Sequence, residues 1–349
     1  MSTSTTLLTL FSPAGVLVKA TPLRLAAKRL KAFGFEVQVD PSALARHQRF
    51  AGDDETRLAA LHRVALQAPS IALATRGGYG LSRMLDRIDW TLLAQSIERG
   101  TRWVGQSDLT VLQLGLLAHH LKGKPGKPGK RIGANAITWA GPLACDDFGR
   151  SEEAGGVDEV TRDCFIEAMS GALEAVGFRT EVGFDGLEVR GTLWGGNLCQ
   201  LNSLLGTKYL PRIQGGVLFL EDVNEHPYRV ERNLLQLHQA GVLDAQQAIV
   251  LGQFSAWRKA PHDRGFSLKT VVQHLRSVTK TPIVTGLPFG HVPTKVSLPV
   301  GARVTLLVKG RDVLIGWQHS HAGGRAHDHA RDHARDHAHD RAHGIANDS

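Results

Sequence analysis

Apolar runs alternate with helically spaced stretches along the first part of the chain. Leu7 to Leu10 reads as a buried strand, Thr21 to Phe33 as a helix stopped by Gly34, and Glu36 to Val39 as the next strand. A helical stretch from about Asp54 to Ala68 then leads into "SIALAT", Ser70 to Thr75, a strand that runs directly into "RGGYG", Arg76 to Gly80. Another apolar stub, Trp103-Val104-Gly105, precedes Gln106-Ser107-Asp108 and a Leu-rich helical stretch. Such alternation predicts an α/β sheet with helices on both faces, in which sites form beyond the carboxyl ends of the strands. Arg76–Gly80 and Gly105–Ser107 both stand where strands end, so the two loops are expected to share one crevice.

From Gly141 to about Asp185 the pattern weakens around Gly149 and Gly155-Gly156, with a single helical piece near Val160 to Val176. Beyond it come "LEVRGTLWGGN", "GGVLFLEDVNE", a helix near Arg229 to Ala240, "AIVLGQF", a helix near Leu268 to Val278, "PIVTGLPFGH" and a β-rich stretch to Trp317. This predicts a second, smaller α/β domain. The expected division is 1–145 for the first domain, 146–185 for a connection, 186–318 for the second domain and 319–349 for a tail.

The chain of 349 residues is long for a single core and suits two domains. Its 42% hydrophobic and 21% charged residues are those of an ordinary globular enzyme. The apolar stretch Leu7 to Val18 is short and interrupted by Pro13 and Gly15, with no basic residue before it. It reads as a strand and its loop in preference to a membrane span or secretory signal. Three widely spaced cysteines, Cys145, Cys164 and Cys199, make neither a disulfide framework nor a zinc motif, so a reducing cytoplasm is the expected setting.

Charge narrows the ligand. The net charge is +8, while the tail from His319 to Ser349 holds four Arg against five Asp, so the excess sits in the body. Such a body attracts anions. No basic helix or aromatic-basic alternation points to nucleic acid, and "KGKPGKPGKR", Lys122 to Arg131, reads as an exposed flexible loop. A small polyanionic substrate is the expectation. The tail, with eight His among Ala, Asp and Arg, should be disordered. Its clustered imidazoles suit loose binding of divalent metal and not a catalytic metal site.

Ser107 stands at a strand-to-helix corner, where a hydroxyl caps a helix or serves as the nucleophile of a tight elbow. Gly105 fits the elbow; Leu109 occupies the place of its usual second glycine. Glu221 follows the apolar strand Gly216 to Leu220, and His291 sits in the constrained loop "GLPFGHVPT". Singly, the one is a strand-end carboxylate beside an arginine and the other a hydrogen-bonded loop histidine. Together they supply the base, and the orienter of that base, which a serine nucleophile needs.

The chain resembles the LD-carboxypeptidases, serine peptidases that trim murein tetrapeptide in the bacterial cytoplasm. The resemblance covers nearly all of the chain to Trp317 and rests on "RGGYG", "GQSDLT", "WGGNLCQLNSLLGTKYLP", "LFLEDVNEHPYRVER" and "GLPFGH". It implies a catalytic triad of Ser107, Glu221 and His291, an oxyanion hole from the backbone N–H groups of Gly78 and Asp108, no metal or other cofactor, and a homodimer. It implies an N-terminal sheet domain like that of class I glutamine amidotransferases, followed by a C-terminal swivelling β/α domain. The implied substrate is L-Ala-γ-D-Glu-meso-diaminopimelate-D-Ala, free or carried on muramic acid or its nucleotide, with terminal D-Ala released. Arg76, Arg229 and Arg232 are candidates for holding the terminal carboxylate, unless they pair with Glu225, Glu231 or Asp222. Two rivals stay open: hydrolysis of peptidyl or aminoacyl sulfamoyl-adenylates by a relative, and a non-catalytic muropeptide-binding or metal-storage role.

Overall fold

The computed structural model describes residues 6–122 and 136–317, all within one compact unit. The expectations for most of the basic Pro-Gly segment and for the His-rich tail fall outside these residues.

The first sheet is built from β1 (Thr6–Phe11), β2 (Phe35–Val39), β3 (Ile71–Ala74), β4 (Arg102–Gly105) and β5 (Thr138–Ala140) in the parallel order β5-β4-β3-β1-β2. Every residue of β3 is buried, as expected of a parallel strand covered on both faces. Helix α1 (Thr21–Ala32) carries Pro22 in its first turn, where no N–H is missed. Helix α2 (Asp54–Gln67) is capped by the Asp53 carboxylate, which accepts the Thr56 N–H at 2.8 Å. Helix α3 (Trp90–Glu98) precedes β4, and α4 (Leu109–Lys122) follows it. The Leu-rich helix α4 is buried on nearly every face from Leu109 to Ala118, as a helix apolar all round must be.

The stretch expected as a connection is more ordered than its pattern announced. Helix α5 (Glu159–Ser170) stops at Gly171, which takes a left-handed φ of 84°. The chain then forms β6 (Ala175–Arg179), which the helical reading to Val176 had absorbed, and β6 enters the second sheet against β13 (Asp312–Trp317).

That second sheet has the order β10-β9-β8-β7-β12-β13-β6. Its long strand β7 (Glu188–Asn197) pairs antiparallel with β12 (Arg303–Lys309) over its first half and parallel with β8 (Val217–Val223) over its second. Strands β9 (Ala248–Ser255) and β10 (Ile283–Thr285) continue the parallel part. Helix α6 (Leu198–Asn202) follows β7, α7 (Pro227–Gln239) follows β8, and α8 (Leu268–Val278) follows β9. One late strand, β11 (Leu298–Val300), crosses back and pairs antiparallel with β5, so the first sheet is closed by a segment from near the end of the chain. No helix among the described residues is long and apolar enough to cross a membrane.

Candidate active site

Strand β4 ends at Gly105, and two residues later Ser107 adopts φ 64°, a left-handed conformation that costs a non-glycine residue roughly 1 kcal/mol or more. The turn is closed by backbone alone: the Thr110 N–H donates to the Ser107 carbonyl at 2.9 Å. The Ser107 hydroxyl makes no hydrogen bond among the described residues, so it is not acting as a helix cap. Its neighbour is the loop after β3. A methyl group placed on Gly77 would lie 2.6 Å from Ser107 Oγ and 2.5 Å from its Cβ, which explains a glycine there. The same point is 3.5 Å from the Asp108 amide nitrogen, so Arg76–Gly80 and the corner residues form one surface. Gly15, from the loop after β1, donates its N–H to the Gly77 carbonyl at 3.0 Å. Sheet order places β1 between β2 and β3, so these loops flank the switch point where α/β sheets hold ligands.

The Asp108 side chain turns inward. It is fully buried, and Oδ2 accepts the Leu81 N–H at 2.9 Å while Oδ1 has no partner. Burial raises its pKa to about 6, against the opposing effects of the Leu81 hydrogen bond and the nearby Arg57 charge.

On the second sheet, Glu221 is wholly buried near the end of β8, where the register with β9 shifts between Leu220 and Asp222. Such irregularities re-aim a side chain at a strand end. Glu221 Oε2 lies 2.8 Å from His291 Nδ1, and Oε1 accepts from Asn197 Nδ2 at 3.1 Å. The loop carrying His291 is held on both sides. Phe289 packs edge-on against Phe219 of β8 with ring centroids 5.4 Å apart, and burying such a side chain contributes roughly 1.5–3 kcal/mol. The Gln253 N–H donates to the Phe289 carbonyl at 2.8 Å, and Ser255 Oγ donates to the His291 carbonyl at 3.1 Å. Gly290, at φ 140°, leaves the carboxylate room: a methyl there would lie 3.2 Å from Glu221 Oε2. Burial lowers the His291 pKa, but the hydrogen bond and charge of Glu221 outweigh it, and the net shift is upward.

Asn197 joins the halves of the site. It stands opposite Glu221 across β7 and β8, its backbone N–H donates to Thr110 Oγ1 of α4 at 3.0 Å, and its side chain also reaches Asp222 Oδ1 at 2.9 Å. A continuous chain of contacts thus leads from the first turn of α4 through Asn197 and Glu221 to His291. Asp222 also accepts the Cys199 and Val223 N–H groups, yet burial raises its pKa to about 6. Sequence reasoning did not single out Asn197; the signal was a polar residue that follows Gly195-Gly196 at a strand end and caps the next helix.

Beyond His291 the chain is strapped to the first half of the protein. Lys295, 2% exposed, forms a buried ion pair with Asp147, and its N–H donates to Thr161 Oγ1 of α5 at 2.8 Å. Thr294 Oγ1 donates to Asp158 Oδ2 at 2.7 Å, after which β11 enters the first sheet. The three basic candidates divide clearly. Arg229 is on α7, 3.8 Å from Glu225 and bonded to the Tyr228 hydroxyl, and Arg232 is exposed beside a surface hollow that also involves Tyr228 and Glu231. Arg76 is in the glycine loop over Ser107; Nη1 donates to the Val16 carbonyl at 2.8 Å and no carboxylate pairs with it among the described residues.

Comparison with known proteins gives the family. A model described as the LD-carboxypeptidase N-terminal domain matches residues 8–123, and one described as the LD-carboxypeptidase C-terminal domain matches residues 190–306. The murein tetrapeptide carboxypeptidase of Pseudomonas aeruginosa is 30% identical over 305 residues, 85% of this chain and 92% of that one. The crystal structure of muramoyltetrapeptide carboxypeptidase from Oxalobacter formigenes superposes with a TM-score of 0.76 at 37% identity, covering 89% of this chain and 99% of that one. The microcin C7 self immunity protein in complex with aspartyl sulfamoyl adenosine superposes with a TM-score of 0.74 over 90% of this chain and 96% of that one, at 20% identity, a likeness of fold. With both halves of the site lying inside matched domains, the chain belongs to the LD-carboxypeptidase family of peptidases.

Proposed function

We propose that this peptidase is a serine LD-carboxypeptidase that removes the terminal D-Ala from murein tetrapeptides, and that Ser107, His291 and Glu221 perform the chemistry. The observation that carries the reading is the Glu221–His291 contact of 2.8 Å, linked through Asn197 to the helix that begins beside an unbonded serine hydroxyl. His291 takes the Oγ proton as Ser107 attacks the carbonyl carbon between the diamino acid and D-Ala, and the carbonyl π electrons move to oxygen. The N–H groups of Gly78 and Asp108 receive that oxyanion, at the start of α4 where the helix dipole favours negative charge. Collapse of the intermediate breaks the C–N bond, and His291 returns its proton to the D-Ala nitrogen. Water then repeats the cycle on the acyl-enzyme. Glu221 fixes the ring orientation and stabilises the imidazolium. Bound substrate, or a small movement of the two sheets, completes the Ser107–His291 hydrogen bond, a tightening common between free and occupied sites.

Arg76 is the residue we assign to the terminal carboxylate, because Arg229 is engaged by Glu225 and Arg232 stands out on α7. The test is incubation with L-Ala-γ-D-Glu-meso-diaminopimelate-D-Ala beside an aminoacyl sulfamoyl-adenylate, read by mass spectrometry. Loss of one alanine from the peptide is expected. Cleavage of the adenylate alone would overturn the assignment.

A further inference from the structure

The carboxylates around His291 are nearly all engaged. Glu221 holds the imidazole, Asp222 accepts from Asn197 and two backbone N–H groups, and Asp147 is paired with Lys295 and accepts the Leu143 N–H. Asp146 is different. Its side chain makes no hydrogen bond or ion pair among the described residues, and it is exposed to solvent. It belongs to the short helical turn Ala144–Phe148 after β5, at the carboxyl end of the sheet. The preceding residue, Cys145, donates its N–H to the Thr75 carbonyl at 2.8 Å, so Asp146 hangs beside the start of the Arg76–Gly80 loop that covers Ser107. Surrounding protein raises its pKa, and Asp147 adds to this, while Arg76, His291 and Lys295 pull it down. This exposed carboxylate lies within electrostatic reach of His291 and of Arg76.

An unengaged carboxylate beside a site that must admit an anionic peptide repels the substrate unless it meets a positive group. The peptide assigned above offers one: the diamino acid on the acyl side of the scissile bond carries a primary ammonium at the far end of its side chain, on the carbon that also bears its second carboxylate. We propose that Asp146 is a specificity-determining residue that binds the side-chain ammonium of the residue on the acyl side of the scissile bond, opposite Arg76, which takes the terminal carboxylate. This rests on the proposed tetrapeptide activity and deepens it, since the enzyme then selects a diamino acid at that position through charge.

The experiment compares the meso-diaminopimelate tetrapeptide with the same peptide acetylated on its free side-chain amine, for the wild-type chain and for Asp146→Asn and Asp146→Glu. A charge-assisted hydrogen bond corresponds to about 10- to 100-fold in kcat/KM. The wild type should prefer the free amine by about that factor, Asp146→Asn should bring the ratio close to one by losing activity on the free amine alone, and Asp146→Glu should restore part of the preference. Calorimetric binding of both peptides to Ser107→Ala supplies a readout that needs no turnover. If the wild type hydrolyses the tetrapeptide but Asp146→Asn keeps its preference, or loses equally on both peptides, the ammonium assignment is overturned and the activity stands. If the wild type neither binds nor cleaves either peptide, the proposed activity and the inference fall together.

Discussion

The Asp108 carboxylate accepts the Leu81 N–H at 2.9 Å and thereby ties the residue after Ser107 to the end of the glycine loop that covers Ser107. Asp108 therefore has two separable parts: a main-chain N–H, which we propose receives the oxyanion, and a side chain that clamps the opposing loop. Asp108→Ala keeps the first and removes the second. The expected result is a fall in kcat of about 10- to 100-fold with little change in KM, because a displacement of a fraction of an ångström at an oxyanion donor weakens transition-state binding more than ground-state binding. Asp108→Asn, whose amide oxygen still accepts from Leu81, should keep most activity. Its stability separates the roles further. The folded pKa of about 6 lies above the unfolded value, so the contribution of Asp108 to stability is full below about pH 4 and is lost as pH rises through 6. Thermal unfolding should show Asp108→Asn gaining on the wild type between pH 4 and 7; a constant difference would show that Asp108 does not titrate there.

Glu221 raises the His291 pKa against burial and the Lys295 charge, and in the proposed mechanism His291 must be neutral to act as the base. The acid limb of kcat/KM for the wild type should therefore lie above the ordinary imidazole value of about 6.5. Glu221→Gln removes the charge and leaves burial in place, so the limb should move to lower pH while the plateau falls by as much as about 10⁴. A pH profile that falls in height without moving would show that Glu221 does not govern the titration of His291.

Much of this site was legible in the residues because its parts sit at ends of strongly patterned elements. The apolar runs before Arg76 and Ser107 are strands, and each of these residues stands two positions past its strand's end, whereas Glu221, expected to follow the run Gly216 to Leu220, lies inside β8, which continues to Val223. The helix that begins at Leu268 ends at Val278 as its spacing implied. Residues that act across the two sheets left no such trace. Asn197 matters through Thr110 and Glu221, and Lys295 through Asp147, partners separated by 87, 24 and 148 positions. Periodicity describes which face of an element is buried and says nothing of which distant element covers it. Strand β6 escaped for a local reason: the stretch from Gly171 into β6 continues the apolar spacing of α5, and only the left-handed Gly171 divides them.

The Asp147–Lys295 pair fastens the segment after His291 to the first half of the protein with both side chains only 3% exposed. Lys295→Met removes the nearer cation and leaves the buried carboxylate with only the longer Arg150 contact at 3.5 Å, an arrangement that costs up to about 3–5 kcal/mol. Denaturant unfolding should register a loss of that size. Adding Asp147→Asn in the same chain should recover part of it, since the weakly compensated buried charge is gone. Equal stability of the single and double variants would mean that the pair is not coupled, and that the Thr161 and Asp158 contacts alone hold the segment.

Ser107 combines a strained backbone with an unbonded hydroxyl, and two substitutions separate these features. Ser107→Ala removes the oxygen and keeps the side-chain carbon in the left-handed conformation, so the fold should be retained with stability close to that of the wild type, because no cap is lost. Ser107→Gly removes the oxygen and relieves the strain, so it should be more stable than Ser107→Ala by about 1 kcal/mol, a difference visible as a higher Tm. Release of D-Ala from the tetrapeptide should fall by several powers of ten in both, because neither can form the acyl-enzyme and only the oxyanion donors and binding remain. Activity and stability therefore move in opposite directions at this one position. A purely structural serine would give the reverse outcome, with turnover near that of the wild type in the folded Ser107→Ala protein, and that single measurement would remove Ser107 from the mechanism.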